Sequence, residues 1–531
     1  MKKVIVLTIL IGVVLSGCGV DGNINDKMKS PSYQKKDPAL ENTIKEGGEE
    51  LSKGQNNQSE SERVYRNFMK MVDSGKKPFE LIAYIDGEIE KVTVDRADEM
   101  ILALEEVQYI FEDYYQQMFF GNNADVKTYV NVQSDIYEAA QEGMDFSIVG
   151  RVSNGTLKSL LIEVFNSGYK LESKEGTVYS ILDYAYLKKY SRFISQEVAD
   201  YIDAMAMESD KYAASDGAVV IPWKELSERL LKLDKYMKTY KNFEKNANIR
   251  NLYYKYMQMF LIGLNNTPAY DYATKVYKDE VIKSFKDLTD NNKGTKSAEI
   301  VKEYQDIIQK SGNTFSREAQ EYTSKMFSEN IYSSSKQNVN NYKYINNALA
   351  ALLPEKPGYR WLYNGFAEYG HEMTLEEVEK ENDIIKYRIK GEVADMSDGE
   401  SGRGKEHFKI DLEYTINNAA IMQTKSEKIM MDSDFDSLEL IKAPLIKGNK
   451  WGQELTDKSG NARYLNCEIT DIKEVGNARI YTVEYRDQDS SYYEKRMIAE
   501  GVGVVSFNKL FKSENDSFEI GYSLYKDASG Y

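Results

Sequence analysis

The sequence predicts an α+β protein: a mainly helical N-terminal domain followed by an antiparallel β-sheet or partial-barrel C-terminal domain. Three observations predict it. Between about residues 60 and 353, apolar residues recur at steps of three and four, the spacing of a helix with one buried face. Beyond Pro354 and Pro357-Gly358 the period shortens to two, in short runs separated by Gly, Asn, Asp and Ser. Those runs follow one another without helical stretches between them, which implies antiparallel pairing.

Taken in order, the chain begins with Lys2 and Lys3, an apolar run from Val4 to Val14, and Leu15-Ser16-Gly17-Cys18. A helix that crosses a bilayer of ~30 Å needs about 20 apolar residues, so this shorter run predicts an export signal over residues 1–17. Residues 18–59 are polar, with Gly47-Gly48, two prolines and few aromatics, the composition of a disordered tether. A flexible linker of ~40 residues has a root-mean-square reach of ~35 Å.

The helical domain is placed at 60–353. Its strongest helix carries Ala97, Met100, Ile101, Leu104, Val107, Phe111, Tyr114, Tyr115 and Met118, with Asp95 read as the cap and Gly121-Asn122 as the stop. Trp223, Leu226, Leu230, Leu233, Met237 and Tyr240 repeat the pattern with Pro222 in the first turn. A third helix runs from Ile249 to Leu264, and more follow around Val276–Leu288, Ala298–Ile308, Phe315–Ile331 and Tyr342–Leu353. Leu171 to Tyr184 reads as a hairpin turning at Glu175-Gly176. The β domain, 354–531, has strands at Ile384–Val393, Phe408–Ile416, Leu438–Ile441, Tyr464–Ile472, Ala478–Tyr485, Tyr492–Met497, Val502–Phe507 and Phe518–Leu524.

Charge limits the partners. Loss of residues 1–17 removes Lys2 and Lys3 and no acid, taking the formal charge from −16 to −18. Such a chain is not drawn to nucleic acid or to anionic lipid by electrostatics. Only two cysteines occur, so once Cys18 is lipidated Cys467 has no partner, and its alternating surroundings read as a strand with a buried structural thiol. The 41 tyrosines accompany abundant Lys, Asn and Ile, and are not read by themselves as a sugar-binding surface.

The basic start, the apolar run and the small pair before Cys18 resemble the bacterial lipobox. That resemblance implies diacylglyceryl transfer to the Cys18 thiol, a new N-terminus at Cys18, and attachment to the outer face of the cell membrane. Glu175 to Tyr184, Tyr201 to Asp210, Trp223-Lys224-Glu225-Leu226 and Gly263 to Pro268 resemble an uncharacterised helical domain of envelope-anchored proteins in Gram-positive bacteria. Ala443 to Trp451 and Glu500 to Val505 are similar to the C-terminal part of many Gram-positive lipoproteins. Both resemblances imply place and architecture and assign no activity.

Candidate chemistry is sparse. Gly399 to Lys405 has the glycine and lysine spacing of a phosphate-binding loop, but Glu406 stands where a Ser or Thr would hold magnesium and no helix follows; it reads as a hairpin loop. Asp432, Asp434 and Asp436 alternate as calcium ligands do, yet Ser437 and Ala443 occupy the EF-hand glycine and glutamate positions, so the reading is a solvated turn with a weak calcium site as the alternative. His371 and His407 are the only imidazoles, too few for a multi-histidine zinc site, and are expected at exposed or partly packed strand ends. Asp183, Asp203 and Glu208 lie in apolar sequence where acid/base carboxylates could be tuned, though carboxylates that fix helix packing are the plainer reading.

The reading is a cell-surface lipoprotein acting as a non-catalytic binding or interaction module. Its membrane contact is the lipid at Cys18, its partner an envelope protein or cell-wall polymer, with no nucleic acid, no cofactor, no metal and no assigned catalytic residue. Three other readings stand beside it: a carrier of lipid or another apolar ligand in the β domain, a carboxylate-dependent cell-wall hydrolase, and, disfavoured because alternating βαβ units are not evident in the sequence, a transporter-linked solute receptor. Because the thioether requires sulfur, Cys18→Ala is expected to abolish metabolic palmitate labelling and to move the protein out of the membrane pellet. Undiminished labelling of this variant would remove the lipoprotein assignment.

Overall fold

The computed structural model describes residues 59–120, 132–332, 342–365, 369–381, 384–395, 408–430, 432–476, 478–512 and 517–531. Cys18, the phosphate-loop-like segment at 399–405 and His407 lie outside the described residues. Residues 57–531 form one compact unit, helical in its first part and built on a single antiparallel sheet in its second.

The helical part begins with α1 (59–73), α2 (Pro78–Glu88) and α3 (Val94–Phe119). Every apolar position predicted for α3 is buried, from Ala97 to Met118. Its N-cap is Thr93, so Asp95 lies in the first turn, where its charge favours the helix dipole without capping it. Next come α4 (Val132–Ala139), α5 (Ile148–Arg151), α6 (Gly155–Asn166), and the hairpin β1 (Tyr169–Lys174) and β2 (Thr177–Leu182). The hairpin turns at Glu175 and Gly176, both at positive φ (50° and 76°), the pairing a tight two-residue turn requires.

Helices α7 (Tyr184–Leu187) and α8 (Gln196–Asp210) lead to the ribbon β3 (Ala214–Ser215) and β4 (Ala218–Val219). Then come α9 (Trp223–Thr239), α10 (Asn246–Ile262), and the ribbon β5 (Gly263–Leu264) and β6 (Thr267–Pro268). Pro222 is the N-cap of α9 rather than a member of its first turn. The part closes with α11 (Asp279–Asn291), α12 (Lys296–Lys310), α13 (Arg317–Phe327) and α14 (Lys343–Ala350).

Twelve strands make the sheet. They are β7 (Arg360–Asn364), β8 (Tyr369–Glu381), β9 (Ile384–Asp395), β10 (Lys409–Asn417), β11 (Ala420–Ser426) and β12 (Ser437–Lys442), then β13 (Lys450–Thr456), β14 (Ala462–Val475), β15 (Ala478–Asp487), β16 (Tyr493–Ala499), β17 (Gly503–Lys512) and β18 (Ser517–Leu524). Two meanders, β7 to β12 and β13 to β18, are joined where β18 pairs with β7 through Ser523–Asn364 and Leu524–Tyr363. That order leaves β12 and β13 as the edges. Bulges in β8, β14 and β17 and between β11 and β12 curl the sheet until those edges meet as a nearly closed barrel.

Side chains close the seam. The Gln453 amide accepts from Glu439 N–H at 2.8 Å and donates to Glu439 C=O at 3.2 Å, doing for one residue what a neighbouring strand would do. Asn449 donates to Lys442 C=O at 2.9 Å, and the Tyr485 hydroxyl donates to Leu440 C=O. The interior is filled by Leu438, Leu440, Leu465, Ile469, Tyr481, Val483, Tyr485, Ile498 and Phe507, all buried.

The helical part meets one end of this barrel. Asn346 of α14 accepts from Ala419 N–H at 3.1 Å, Leu352 C=O accepts from Gly503 N–H at 2.7 Å, and Gln117 of α3 donates to Lys450 C=O at 3.1 Å. The Arg479 guanidinium donates to Asp73 C=O at 2.8 Å. A small apolar void of about 20 Å³ between Val72, Val107, Phe111, Leu349 and Leu445 marks the middle of this contact.

Beneath it lies a buried charge cluster. Glu105 and Glu106 are each 1% exposed and Lys245 is 4% exposed; the ammonium sits 3.5 Å from Glu105 and 3.4 Å from Glu106. Glu105 also accepts from the Tyr201 and Tyr184 hydroxyls. The other oxygen of Glu106 accepts from Tyr344 and Ile345 N–H, at 2.8 and 3.2 Å, and so caps α14 from another helix. One ammonium faces two carboxylates out of water, and burial pushes the Glu106 carboxyl up to about 7 against the pull of Lys245. Removing one member of such a cluster strands the rest. Glu106→Ala and Lys245→Met are each expected to cost about 3–5 kcal/mol in urea unfolding, and Glu106→Ala to speed amide exchange at residues 344–349.

Candidate functional site

The acidic run in the β11–β12 connection is only partly a solvated turn: Asp436 is exposed and Asp434 partly so, Asp432 is buried, and each carboxylate lies beside a lysine. Asp432 is buried and paired with Lys425 of β11, itself buried. Asp434 meets Lys509 of β17 at 2.9 Å, and Asp436 lies 3.9 Å from Lys458. Lys458 also holds Glu427 at 2.6 Å and stands 3.8 Å from Asp432. Burial pushes the Asp432 carboxyl up, but Lys425 and Lys458 outweigh it and hold the group below its ordinary range. The connection thus folds back over the barrel's other end, with Phe435 fully buried edge-on to Tyr492 at 5.6 Å.

His371 is not at an exposed strand end. It is 3% exposed on β8, stacked on Tyr363 at 4.5 Å and edge-on to Tyr522 at 4.8 Å. Nearby, Glu494 is 2.9 Å from Arg496, both buried, and accepts from Ser433 at 3.3 Å and Tyr492 at 3.1 Å. These polar groups complete the filling of the barrel, and none is arranged as a nucleophile with a base.

The three carboxylates weighed for acid/base chemistry are engaged separately. Asp183 caps α7 by accepting from Ala185 N–H at 3.1 Å. Asp203 is half exposed and paired with Lys188 at 3.0 Å. Glu208 accepts from the Tyr256 hydroxyl at 2.7 Å, Arg229 at 3.2 Å and Ala213 N–H at 3.3 Å, tying α8 to α9 and α10. Cys467 is buried on β14 and receives the Gln453 amide at 3.1 Å; burial pushes its thiol up to about 12, so it is inert.

A site that single residues did not announce lies on the outer face of β13, β14 and β15. A dish of about 510 Å³ is lined by Lys450, Asn466, Glu468, Glu484 and Arg486, with Gln117 of α3 at its rim. Register assembles it: Lys450 pairs with Glu468, Gly452 with Asn466, and Glu468 with Glu484. Lys450 is 3.6 Å from Glu468 and Arg486 is 2.8 Å from Glu484. Two carboxylates directly opposite one another destabilise a sheet, and here each is balanced by a cation beside it. Gly452 leaves room for Tyr464, whose hydroxyl would lie 1.9 Å from any Cβ at 452. Trp451 also lines the dish, 8% exposed, and its indole N–H has no acceptor, an omission that costs about 1–3 kcal/mol.

No family model matches the chain, and no curated protein matches it. Among solved structures, the chain is similar to a Parabacteroides distasonis ATCC 8503 protein provisionally described as a lipoprotein: 14% identity over 33% of this chain and 96% of that one, TM-score 0.20. It is also similar to a Bacteroides fragilis NCTC 9343 protein, provisionally described as exported with a YmcC-like fold: 11% identity over 32% of this chain and 96% of that one, TM-score 0.23. TM-scores this low carry no argument about function.

One consequence of the buried imidazole is measurable. Burial, with Lys425 adding to it and Asp432 opposing it, takes His371 from 6.5 down to about 3. Between those values the unfolded chain binds a proton that the folded chain refuses, so the His371 contribution weakens stability as pH falls, by up to ~1.4 kcal/mol per unit. His371→Phe is expected to remove that slope between about pH 6 and pH 4, read as the pH dependence of its unfolding free energy against the parent. Equal slopes would mean that His371 is protonated in the folded barrel.

Proposed function

We propose that this chain is an envelope lipoprotein, held on the outer face of the cell membrane through Cys18, whose folded body is a non-catalytic binding module for a cell-wall polymer. The resemblance of residues 15–18 to a lipobox supports the location. The dish on β13–β15 carries the binding reading, because it gathers cations, carboxylates and amides on a rigid sheet, with each carboxylate engaged by a neighbouring cation. The apolar-carrier reading finds no support in the barrel, whose interior is occupied by its own buried side chains.

The test is co-sedimentation of residues 57–531 with purified cell wall, comparing the parent with Glu468→Ala/Arg486→Ala. The pair lies on a wetted sheet face, so the fold is expected to survive, checked by circular dichroism. Retention is expected to fall about ten-fold, and no soluble wall fragments are expected from either protein. Retention that ignores the double substitution would remove the dish from the binding reading. Release of fragments by the parent would replace that reading with a hydrolase.

A further inference from the structure

We infer that the dish takes an uncharged polyhydroxyl ligand, a short stretch of a neutral glycan chain. This inference rests on the reading of the dish as the binding site and adds the ligand's chemistry.

Charge comes first. Lys450 and Arg486 are matched by Glu468 and Glu484 within the same dish. An anionic ligand meets two carboxylates there, in a chain of formal charge −16, and a cationic one meets two fixed cations. Neither gains. An apolar ligand would strip water from four charged groups without replacing their hydrogen bonds.

Hydrogen bonding comes next. The dish offers acceptors in Glu468 and Glu484 and donors in Lys450 and Arg486, while the exposed Asn466 amide offers both. A hydroxyl both donates and accepts, so a row of hydroxyls can satisfy this mixture without importing charge. The volume, about 510 Å³, falls in the range of small-ligand sites, ~300–1,000 Å³. The opening is wide, as a continuous chain needs, and the Tyr464 ring stands beside it over Gly452. Backbone pairing on both sides of β14 fixes the lining residues before any ligand arrives, which limits the ordering cost of binding.

The probes are chitotetraose and maltotetraose as neutral glycans, a heparin fragment as a polyanion, and oligolysine as a polycation. Each is titrated into residues 57–531, which form one compact unit, and followed by saturation-transfer NMR and calorimetry. At least one neutral tetrasaccharide is expected to bind, with affinity unchanged between about 0.05 and about 0.5 M salt because no ion pair is made. Asn466→Ala and Glu484→Gln are each expected to weaken it about ten-fold, with melting temperature held. Gly452→Ala, which must displace Tyr464, is expected to change it as well. Binding that ignores all three substitutions overturns the proposal by placing the sugar elsewhere. Preference for the heparin fragment or oligolysine, lost in high salt, overturns the ligand class. If wall retention depends on the dish while neither neutral glycan binds, the ligand class fails and the binding reading stands; if retention ignores the dish too, both fail.

Discussion

The Glu106 carboxylate is the joint on which the two halves of the fold depend. Its helix, α3, is covered on every side in its middle turns, so a charge there is expensive unless it is paired and hydrogen-bonded. Lys245 provides the pairing from the start of α10, and two amides of α14 provide the hydrogen bonds. A helix as short as α14 has little stability of its own. It is ordered because its N-terminal amides are met from α3 while its next residue, Asn346, reaches the β10–β11 turn. One line of polar contacts thus runs from α10 through α3 and α14 into the barrel, linking positions 245, 106, 345 and 419. Burial raises the proton affinity of Glu106 against the pull of Lys245 and of the two α14 amides, so the joint's cost is expressed as protonation as well as stability.

The barrel solves three problems with side chains where other barrels use backbone or ligand. Its seam is sewn by Gln453, Asn449 and Tyr485. One end rests on α3 and α14, and the other is covered by the β11–β12 connection, whose aspartates face lysines from separate parts of the barrel. The lumen is packed with its own tyrosines and with buried Arg496. A sheet closed, covered and filled in this way is stiff, and stiffness has more value on its outer face than inside it. The dish is formed there, from residues that strand pairing holds at fixed spacing.

Much of this architecture was legible in the sequence, and the failures have physical causes. The α3 stripe, the tight turn at Glu175-Gly176 and eight of the twelve strands follow from local period alone. Strand β8 escaped because its thirteen residues are dense in glutamate and a bulge near Leu375 breaks the alternation. The aspartates at 432–436 read as solvated because Lys458 and Lys509 lie far along the chain, and only the closed barrel brings them close. His371 was misplaced for the same reason: Tyr522, which covers it, comes from the last strand. The dish was invisible because Lys450, Glu468, Glu484 and Arg486 each look like ordinary wetted-face residues; their meeting is a fact of register. The signal that could have found them is conditional: once β13, β14 and β15 are aligned as hairpins, Glu468 falls opposite Glu484.

That opposition is also the strongest physical reason to treat the dish as more than surface. Like charges facing across an antiparallel pair work against the sheet, and a lysine or threonine at either position would remove the conflict at no cost to packing, since both side chains point outward. Lys450 and Arg486 offset the repulsion, and in doing so they place four charged groups where a plain surface would need none. Beside them, Gly452 gives up β propensity in the middle of a strand and Trp451 buries an N–H without an acceptor. Each departure alone is a small local defect. Together on three adjacent strands they form a concentration of departures from a plain sheet face, and such local conflicts are where a fold gives up stability for recognition.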